Sequence, residues 1–239
     1  MVNSENIILI PARMDAIRLP NKPLADIAGK PMIVHVAERA MKSSVGEVYV
    51  AAAEQEIIDV LKEYKIKSVL TDPSLPSGTD RVFAALEIID PQHRYKNIIN
   101  LQGDLPLIDP EALREVARLN NSSYDVTTIA GVIVDQSEIQ NPNVVKIALS
   151  KITNEALYFS RSAIPHNANC YYHHIGVYGY KRDALSRFIK MKQTELELTE
   201  RLEQLRFLEN GTRILVGIVK NIPTSVDTAA DLAKVLSQI

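Results

Sequence analysis

The sequence predicts an α/β fold: a mixed, mainly parallel sheet flanked by helices, with an inserted antiparallel section. Two observations lead to this class. Short apolar runs alternate with longer amphipathic stretches through the first half, and after Tyr124 strand-like runs follow one another without helices between them. Strands separated by helices pair in parallel through right-handed crossovers, whereas strands in direct succession favour antiparallel or mixed pairing.

In the first half, four short apolar runs are typical of buried strands. They are Ile7–Ile10, Val48–Ala51, Lys67–Leu70 and Asn97–Leu101. Segments whose apolar residues recur on one helical face predict four helices. These cover Pro31–Met41, Glu54–Tyr64, a segment capped by Ser77 or Thr79 that runs to Ile89, and Pro110–Leu119.

In the second half, three strands without intervening helices are predicted over Asp125–Val134, Val144–Leu149 and Tyr171–Tyr180. A single helix is predicted over Glu195–Leu208, because leucines recur along one side of it. A strand over Thr212–Val219 and a helix over Asp227–Ile239 close the chain. Since no linker or repeat interrupts the chain, we expect one domain over residues 1–239, with the inserted, partly antiparallel section around residues 125–180.

Composition narrows the range of partners. Lys and Arg total 27 against 29 Asp and Glu, so the net charge of −2 provides no general field for nucleic acid or an anionic membrane, and neither is expected as a partner. Cys170 is the only cysteine, which excludes an intrachain disulfide. No apolar run reaches the roughly 18 residues of a membrane span. We therefore expect a cytoplasmic protein.

Several common catalytic motifs are absent from the sequence. No G-x-G-x-x-G follows the first strand and no G-x-x-x-x-G-K-[ST] loop occurs, which disfavours dinucleotide-dependent dehydrogenases and P-loop NTPases. The five histidines show no H-E-x-x-H spacing, and no G-x-S-x-G elbow indicates a serine hydrolase.

A cationic loop follows the first predicted strand. Arg13, Arg18 and Lys22 lie within ten residues of one another, between a buried strand and a helix. Ligands of open parallel sheets gather at the carboxyl ends of the strands, and Arg and Lys bind phosphate oxygens. The loop therefore predicts a polyphosphate site, although a solvated basic loop without a ligand would have the same composition.

Two further positions indicate phosphate and metal chemistry. Gly78 begins a predicted helix, whose free N–H groups suit an anion, although a simple cap is the alternative. Asp104 follows the strand Asn97–Leu101, where a carboxylate is well placed for Mg²⁺. Asp227 precedes the last helix and, taken alone, is best interpreted as its N-cap. Two carboxylates and a cationic loop together favour metal-assisted phosphoryl chemistry.

These segments resemble one known family. IPARMDAIRLPNKPLADIAGKPMIVHVAERA resembles the N-terminal signature of CMP-Kdo synthetases, the 3-deoxy-manno-octulosonate (Kdo) cytidylyltransferases. Later segments match the family in the same order: SGTDR, NLQGDLPLI, NPNVVK, ALYFSRSAIP, HHIGVYGY, LEQLRFLENG and SVDTAADL. The resemblance implies a Rossmann-like nucleotidyltransferase fold and a homodimer formed largely through the inserted section. It also implies transfer of CMP from CTP to the anomeric hydroxyl of Kdo, for lipopolysaccharide biosynthesis.

The resemblance also implies roles for individual residues. Contacts with CTP fall on Arg13, Lys22, Ser77, Gly78 and Arg81. Magnesium ligands fall on Asp104 and Asp227, which with Lys22 would form the catalytic set. Contacts with the acidic sugar fall on Gln102, Arg161, His174, Glu203 and Gln204.

The chain departs from the family pattern at three places. Leu105 stands where the family has Glu in QGDEP, 51–53 reads Ala-Ala-Ala where the family often has A-T-D, and the approach to Asp227 lacks glycine. Loss of a carboxylate at position 105 is expected to weaken the metal site. Alternatives to the Kdo enzyme are therefore a cytidylyltransferase for another 2-keto acid sugar, a nucleotide- or sugar-binding homologue without turnover, and a structural oligomer in which the aspartates are caps.

Overall fold

The computed structural model describes residues 5–15 and 18–239. Positions 16 and 17 of the first cationic loop lie outside the described residues. The chain groups into two compact units, one of Met1–Arg114 with Pro223–Ile239 and one of Glu115–Ile222. The predicted single-domain organisation stays a prediction.

Eleven strands occur within the described residues. In chain order, β1 to β11 are Asn6–Ala12, Asp26–Ile27, Lys30–Pro31, Glu47–Ala52, Ser68–Leu70, Asn97–Leu101, Val126–Val132, Lys146–Leu149, Ala156–Ser160, Tyr172–Lys181 and Ile214–Val219. The α-helices α1 to α8 are Met32–Lys42, Gln55–Glu63, Gly78–Ile89, Pro110–Asn120, Arg182–Lys190, Glu195–Glu200, Gln204–Glu209 and Ala229–Leu236. Short 3-10 turns cover Lys22–Leu24 and Gln136–Glu138.

The first unit is built on four parallel strands in the order β6–β1–β4–β5. Ile8 of β1 lies opposite Val48 on one side and Ile99 on the other. Residues Ile7–Ile10 are fully buried, as near-continuous apolar runs are in parallel sheets. The predicted parallel arrangement of this half is confirmed, and the carboxyl ends of β1, β4 and β6 share one edge of the sheet.

Helices of the first unit follow the predicted amphipathic patterns. Ile33, Val36, Ala37 and Ala40 of α1 are all buried, so the predicted apolar face is confirmed. α3 begins after Ser77, whose Oγ accepts a hydrogen bond from the Asp80 amide at 3.2 Å. Such a cap satisfies one of the free amides at a helix start, which explains why the helix begins there.

The second unit is built around β7, which pairs in parallel with β11 and antiparallel with β10. β10 also pairs antiparallel with β8, and β8 with β9. The predicted antiparallel section is therefore confirmed. The pairing of β10 with β7 shifts register between Ile175 and Tyr178, which marks a β-bulge.

The helix predicted over Glu195–Leu208 is wrong as a single element. Two short helices occur instead, because Arg201 adopts a left-handed conformation with φ of 55°. Arg206 then folds back onto Glu197, where Nε donates to Oε2 at 2.7 Å and Nη2 donates to Oε1. Both side chains of this ion pair are buried. The predicted continuous leucine face therefore does not form, and Leu198 is 58% exposed.

Two elements of the second unit were missed. Strand β9 buries Ala156, Phe159 and Ser160, and helix α5 buries Ala184, Leu185 and Phe188 at helical spacing. The apolar spacing of α5 was therefore present in the sequence. In the described part of the chain, no helix is long and apolar enough to cross a membrane.

Candidate active site

The loop after β1 is tied to the end of β4. The Ala53 amide donates to Ala12 O at 3.0 Å, and the Met14 amide donates to Glu54 Oε2 at 3.0 Å. These bonds hold the chain on either side of Arg13, whose side chain is exposed. Glu54 was not among the predicted site residues, and only the predicted proximity of the strand ends could have suggested it.

Lys22 joins the two predicted metal aspartates. Its Nζ lies 2.9 Å from Asp104 Oδ2 and 2.8 Å from Asp227 Oδ1. Burial lowers the pKa of Lys22, but the two carboxylates outweigh burial and the net pKa is raised. The ammonium group is therefore charged and lies between two carboxylates that are 82 and 205 residues away in sequence. Arg18 Nη2 adds a second cation at 3.2 Å from Asp227 Oδ2.

The N-cap interpretation of Asp227 is wrong. Thr228 caps α8 and forms a capping box with Asp231, so the helix does not use the Asp227 side chain. The Asp227 amide instead donates to Asp231 Oδ2 at 3.1 Å, and the preceding residue, Val226, donates to Asp104 O at 2.9 Å. These backbone bonds bring Asp227 next to Asp104, which is the juxtaposition that the resemblance implied.

Arg81 is a buried cation at the edge of the same site. Its Nη1 donates to Thr71 Oγ1 at 2.7 Å and to Asp72 O at 3.1 Å. Its Nη2 is buried without a hydrogen-bond partner among the described residues. Burial lowers the pKa of Arg81, with Glu54 opposing this effect and Arg13 adding to it. An unpaired guanidinium nitrogen in this position suits an anionic ligand.

An open cavity of about 440 Å³ brings these groups together within the first unit. Seven charged side chains line it: Arg13, Asp15, Arg18, Lys22, Arg81, Asp104 and Asp227. Ser77, Gly78 and Gln102 also face it, so every predicted CTP and metal residue and one predicted sugar residue line a single cavity. Four cations against three anions give a site that favours an anionic ligand.

Close backbone approach shapes one wall of this cavity. A Cβ at Gly103 would lie 2.8 Å from Pro11 O, and one at Gly78 would lie 3.3 Å from the Pro11 ring. Ser77 Oγ donates to Asp80 Oδ2 at 2.7 Å while accepting from the Asp80 amide, so its hydroxyl serves the helix cap. A ligand at this segment would therefore meet the small Gly78 and the free amides of the helix start.

The donor set fits a divalent cation. Asp104 and Asp227 already face one cation, Lys22 Nζ, and their oxygens are the hard ligands that Mg²⁺ prefers. Within residues 5–15 and 18–239, no group of three or more His, Cys, Asp and Glu could hold a metal. An ion at this position would take two carboxylates from the protein and its other ligands from substrate or water.

The expected weakening of the site by Leu105 is not supported by its position. The Leu105 side chain is buried at 4% exposure and does not line the cavity, whereas Asp104 does. Ala51, Ala52 and Ala53 are buried as well. Two of the three departures from the family pattern, at position 105 and at 51–53, thus lie in the core of the first unit.

The other predicted sugar residues lie in the second unit. Arg161 donates through Nε to Glu200 O at 2.9 Å, through Nη1 to Pro142 O at 3.0 Å and through Nη2 to Arg201 O at 3.4 Å. Its guanidinium therefore bridges three backbone carbonyls. Five donors minus three such bonds leave two N–H groups for a carboxylate.

Gln204 and Glu203 lie at the start of α7. Gln204 is buried, and its Nε2 has no partner in the described part of the chain. Glu203 is the N-cap residue of the helix and, with burial and Tyr180, helps to raise the pKa of Tyr178 well above its usual value. A buried amide group without a hydrogen-bond partner destabilises the fold unless a ligand accepts from it, so Gln204 is suited to a polar ligand.

His173 and His174 predict a pH dependence of stability. Burial and then Lys146 lower the pKa of His173 to about 4, and burial and then His173 lower that of His174 to about 3. In the unfolded chain the pKa of both histidines is 6.5. Between the folded and unfolded pKa values the unfolded chain therefore binds more protons than the folded one. The contribution to stability is full above pH 6.5 and is lost as the pH falls below it. We expect a loss of about 1–2 kcal/mol per histidine between pH 7 and 5, measured by urea unfolding.

The variant His173→Asn should flatten this dependence, because it removes one of the two buried imidazoles. His166→Asn is the matched control, since His166 is exposed. Equal losses of stability in wild type and His173→Asn would contradict the prediction.

Comparisons with known proteins find relatives along nearly the whole chain. The family model described as Cytidylyltransferase matches residues 7–214. A 3-deoxy-manno-octulosonate cytidylyltransferase of Paramagnetospirillum magneticum is 48% identical over 233 residues, covering 95% of each chain. One of Bartonella tribocorum is 48% identical over 235 residues, covering 97% of each. The solved structure of a CMP:2-keto-3-deoxy-manno-octonic acid synthetase complexed with CTP matches with a TM-score of 0.90 at 36% identity, covering 98% of both chains.

Proposed function

Because this chain belongs to the cytidylyltransferase family, we propose that it transfers CMP from CTP to the anomeric hydroxyl of Kdo and releases pyrophosphate. The observation that carries the proposal is the convergence of Lys22, Asp104 and Asp227 in a cavity lined with arginines. The names of the relatives and of the structural neighbour support CTP and Kdo as the substrates.

The reaction is an in-line displacement at the α-phosphorus of CTP. A bond forms between the anomeric oxygen and phosphorus, the bond to the β-phosphate oxygen breaks, and pyrophosphate carries the electron pair away. The hydroxyl proton passes to solvent. Such a transfer needs positioning and charge neutralisation more than covalent chemistry from the protein.

Charged residues of the first unit supply that neutralisation. Asp104 and Asp227 would hold Mg²⁺, which when bound neutralises phosphate charge and lowers the pKa of a coordinated hydroxyl. Lys22, Arg13 and Arg81 would meet the triphosphate and the leaving pyrophosphate, since each lines the cavity. Nη2 of Arg81, which has no partner among the described residues, is available for a new anionic partner.

The resemblance implies that the sugar is recognised by Gln102, Arg161, His174, Glu203 and Gln204. Arg161 would pair with the sugar carboxylate through its two remaining N–H groups. Gln204 would use its unpartnered Nε2. The product would enter lipopolysaccharide biosynthesis, and the cytoplasmic location and the homodimer stay predictions.

The test is pyrophosphate release from CTP and Mg²⁺ with Kdo, with a sialic acid or without sugar. We expect release with Kdo and Mg²⁺ and background rates when either is omitted. Release with the sialic acid instead would assign a different 2-keto acid sugar. No release with any sugar, together with a gain of about 2.7 kcal/mol in stability at CTP of 100 times Kd, would identify a binding protein without turnover.

A further inference from the structure

The bulge in β10 frees backbone carbonyls from the strand pairing, and the Thr128 hydroxyl lies within hydrogen-bond distance of two of them. Thr128 Oγ1 lies 2.8 Å from Val177 O and 3.5 Å from Ile175 O, within the segment where the register shifts. A carbonyl oxygen can only accept a hydrogen bond, so the single hydroxyl proton of Thr128 points to Val177 O, the nearer one. Thr128 is fully buried, so its hydroxyl group is shielded from solvent.

The same hydroxyl oxygen contacts His174. The distance from Thr128 Oγ1 to His174 Nε2 is 3.1 Å. Because the hydroxyl proton is already donated to Val177, the oxygen can only accept from the ring, and Nε2 must carry the hydrogen. Burial lowers the pKa of His174 to about 3, which keeps the ring neutral at physiological pH. The neutral ring then has a lone pair on Nδ1.

The other ring nitrogen has no protein partner. His174 is 8% exposed and packs against the rings of Phe159 and Tyr178, with centroids 5.1 and 5.3 Å away. No hydrogen bond to Nδ1 is found within residues 5–15 and 18–239. Nδ1 of His174 is not among the buried side-chain atoms that lack a partner, so it is open to solvent or to a donor group on a ligand.

We propose that Thr128 is a positioning residue that holds His174 as the Nε2–H tautomer, so that Nδ1 accepts a hydrogen bond from a hydroxyl group of the sugar. The inference rests on the proposed function, because it places His174 against the sugar. The inference also specifies which chemical group of the sugar His174 recognises. A carboxylate and a ring oxygen have no proton to donate to Nδ1, whereas a hydroxyl does.

The tautomer is tested directly by ¹⁵N NMR of the imidazole rings in the intact protein. We expect a protonated Nε2 and an unprotonated Nδ1 for His174 at pH 7. Addition of Kdo should move the Nδ1 resonance and leave Nε2 protonated. A protonated Nδ1 in the free protein would overturn the inference, whatever the activity.

Kinetics of three variants test the positioning role. Thr128→Val keeps the shape and removes the hydroxyl, so KM for Kdo should rise about tenfold, as for one lost hydrogen bond, with KM for CTP within twofold. Thr128→Ser should restore KM for Kdo to near the wild-type value. Thr127→Val is the matched control, because Thr127 is equally buried on the same strand and its hydroxyl bonds Gly179 O rather than His174.

The outcomes separate this inference from the proposed function. An unchanged KM for Kdo in Thr128→Val, or equal increases in Thr128→Val and Thr127→Val, would overturn the positioning role while leaving the activity intact. No turnover of Kdo by wild type would overturn the proposed function and the sugar contact with it, while NMR would still decide the tautomer. If Thr128→Val does not fold, the response of wild-type Nδ1 to Kdo decides the contact.

Discussion

Replacing Asp104 by asparagine is expected to lower kcat for pyrophosphate release by about 10²–10³-fold, the range seen when one preorganised electrostatic group is lost. Asparagine keeps the shape of the side chain but loses the charge that faces Lys22 at 2.9 Å. One of two carboxylates available to a divalent ion then disappears. Because the Asp104 carbonyl, and not its side chain, accepts from the Val226 amide, the backbone frame of the site stays intact.

The control for this variant is Asp26→Asn. Asp26 is exposed in the same unit, and within the described residues its side chain accepts from the Gly29 amide at 3.3 Å. Both variants should unfold within about 1 kcal/mol of wild type, since partly exposed ion pairs contribute little to stability. A kcat within threefold of wild type for Asp104→Asn would contradict the assigned role. Loss of activity together with a large loss of stability would indicate a structural role instead.

The parallel half of the fold could be predicted because its signals are local. Each buried strand of the first unit is a continuous apolar run, and α1 shows its buried face at helical spacing. Strand ends in a parallel sheet share one edge, so placing Arg13 and Asp104 after two such strands was enough to predict that they would meet. Both residues line the same cavity of the first unit.

Features of the second unit depend on contacts distant in sequence. The break at Arg201 accompanies an ion pair between Glu197 and Arg206 that no apolar pattern indicates. Thr128 contacts His174 across 46 residues, and the contact requires a bulge whose position the sequence does not indicate. Local periodicity carries no information about such pairs, so the partners of the predicted sugar residues could not be predicted.

The role of Lys22 shows a third kind of limit. The resemblance implied that it meets the phosphates of CTP, and its pairing with both aspartates was not expected. A sequence pattern reports which residues belong to a site but not which of two partners a side chain takes before the ligand arrives. The ammonium group lies where two carboxylates can face a divalent ion, so binding of metal and the position of Lys22 are linked.

Replacing Lys22 by methionine is therefore expected to have opposite effects on metal binding and on turnover. Without the ammonium group, Arg18 at 3.2 Å from Asp227 is left to offset the two carboxylates, and Mn²⁺ used as a probe should bind at least about tenfold more tightly in the absence of nucleotide. Pyrophosphate release should fall by about 10²-fold, because one cation facing the triphosphate is gone. Titration of Mn²⁺ by electron paramagnetic resonance measures the first effect independently of activity.

Lys30→Met is the control, since Lys30 pairs with Glu38 in the same unit and does not line the cavity. In wild type, CTP offers Lys22 an alternative anionic partner, so CTP should strengthen Mn²⁺ binding more than it does in Lys22→Met. Unchanged or weaker binding of Mn²⁺ by nucleotide-free Lys22→Met would show that the ammonium group and the metal do not compete. Tighter metal binding with reduced turnover, by contrast, would mean that the lysine keeps the two carboxylates together until the nucleotide draws it to the phosphates.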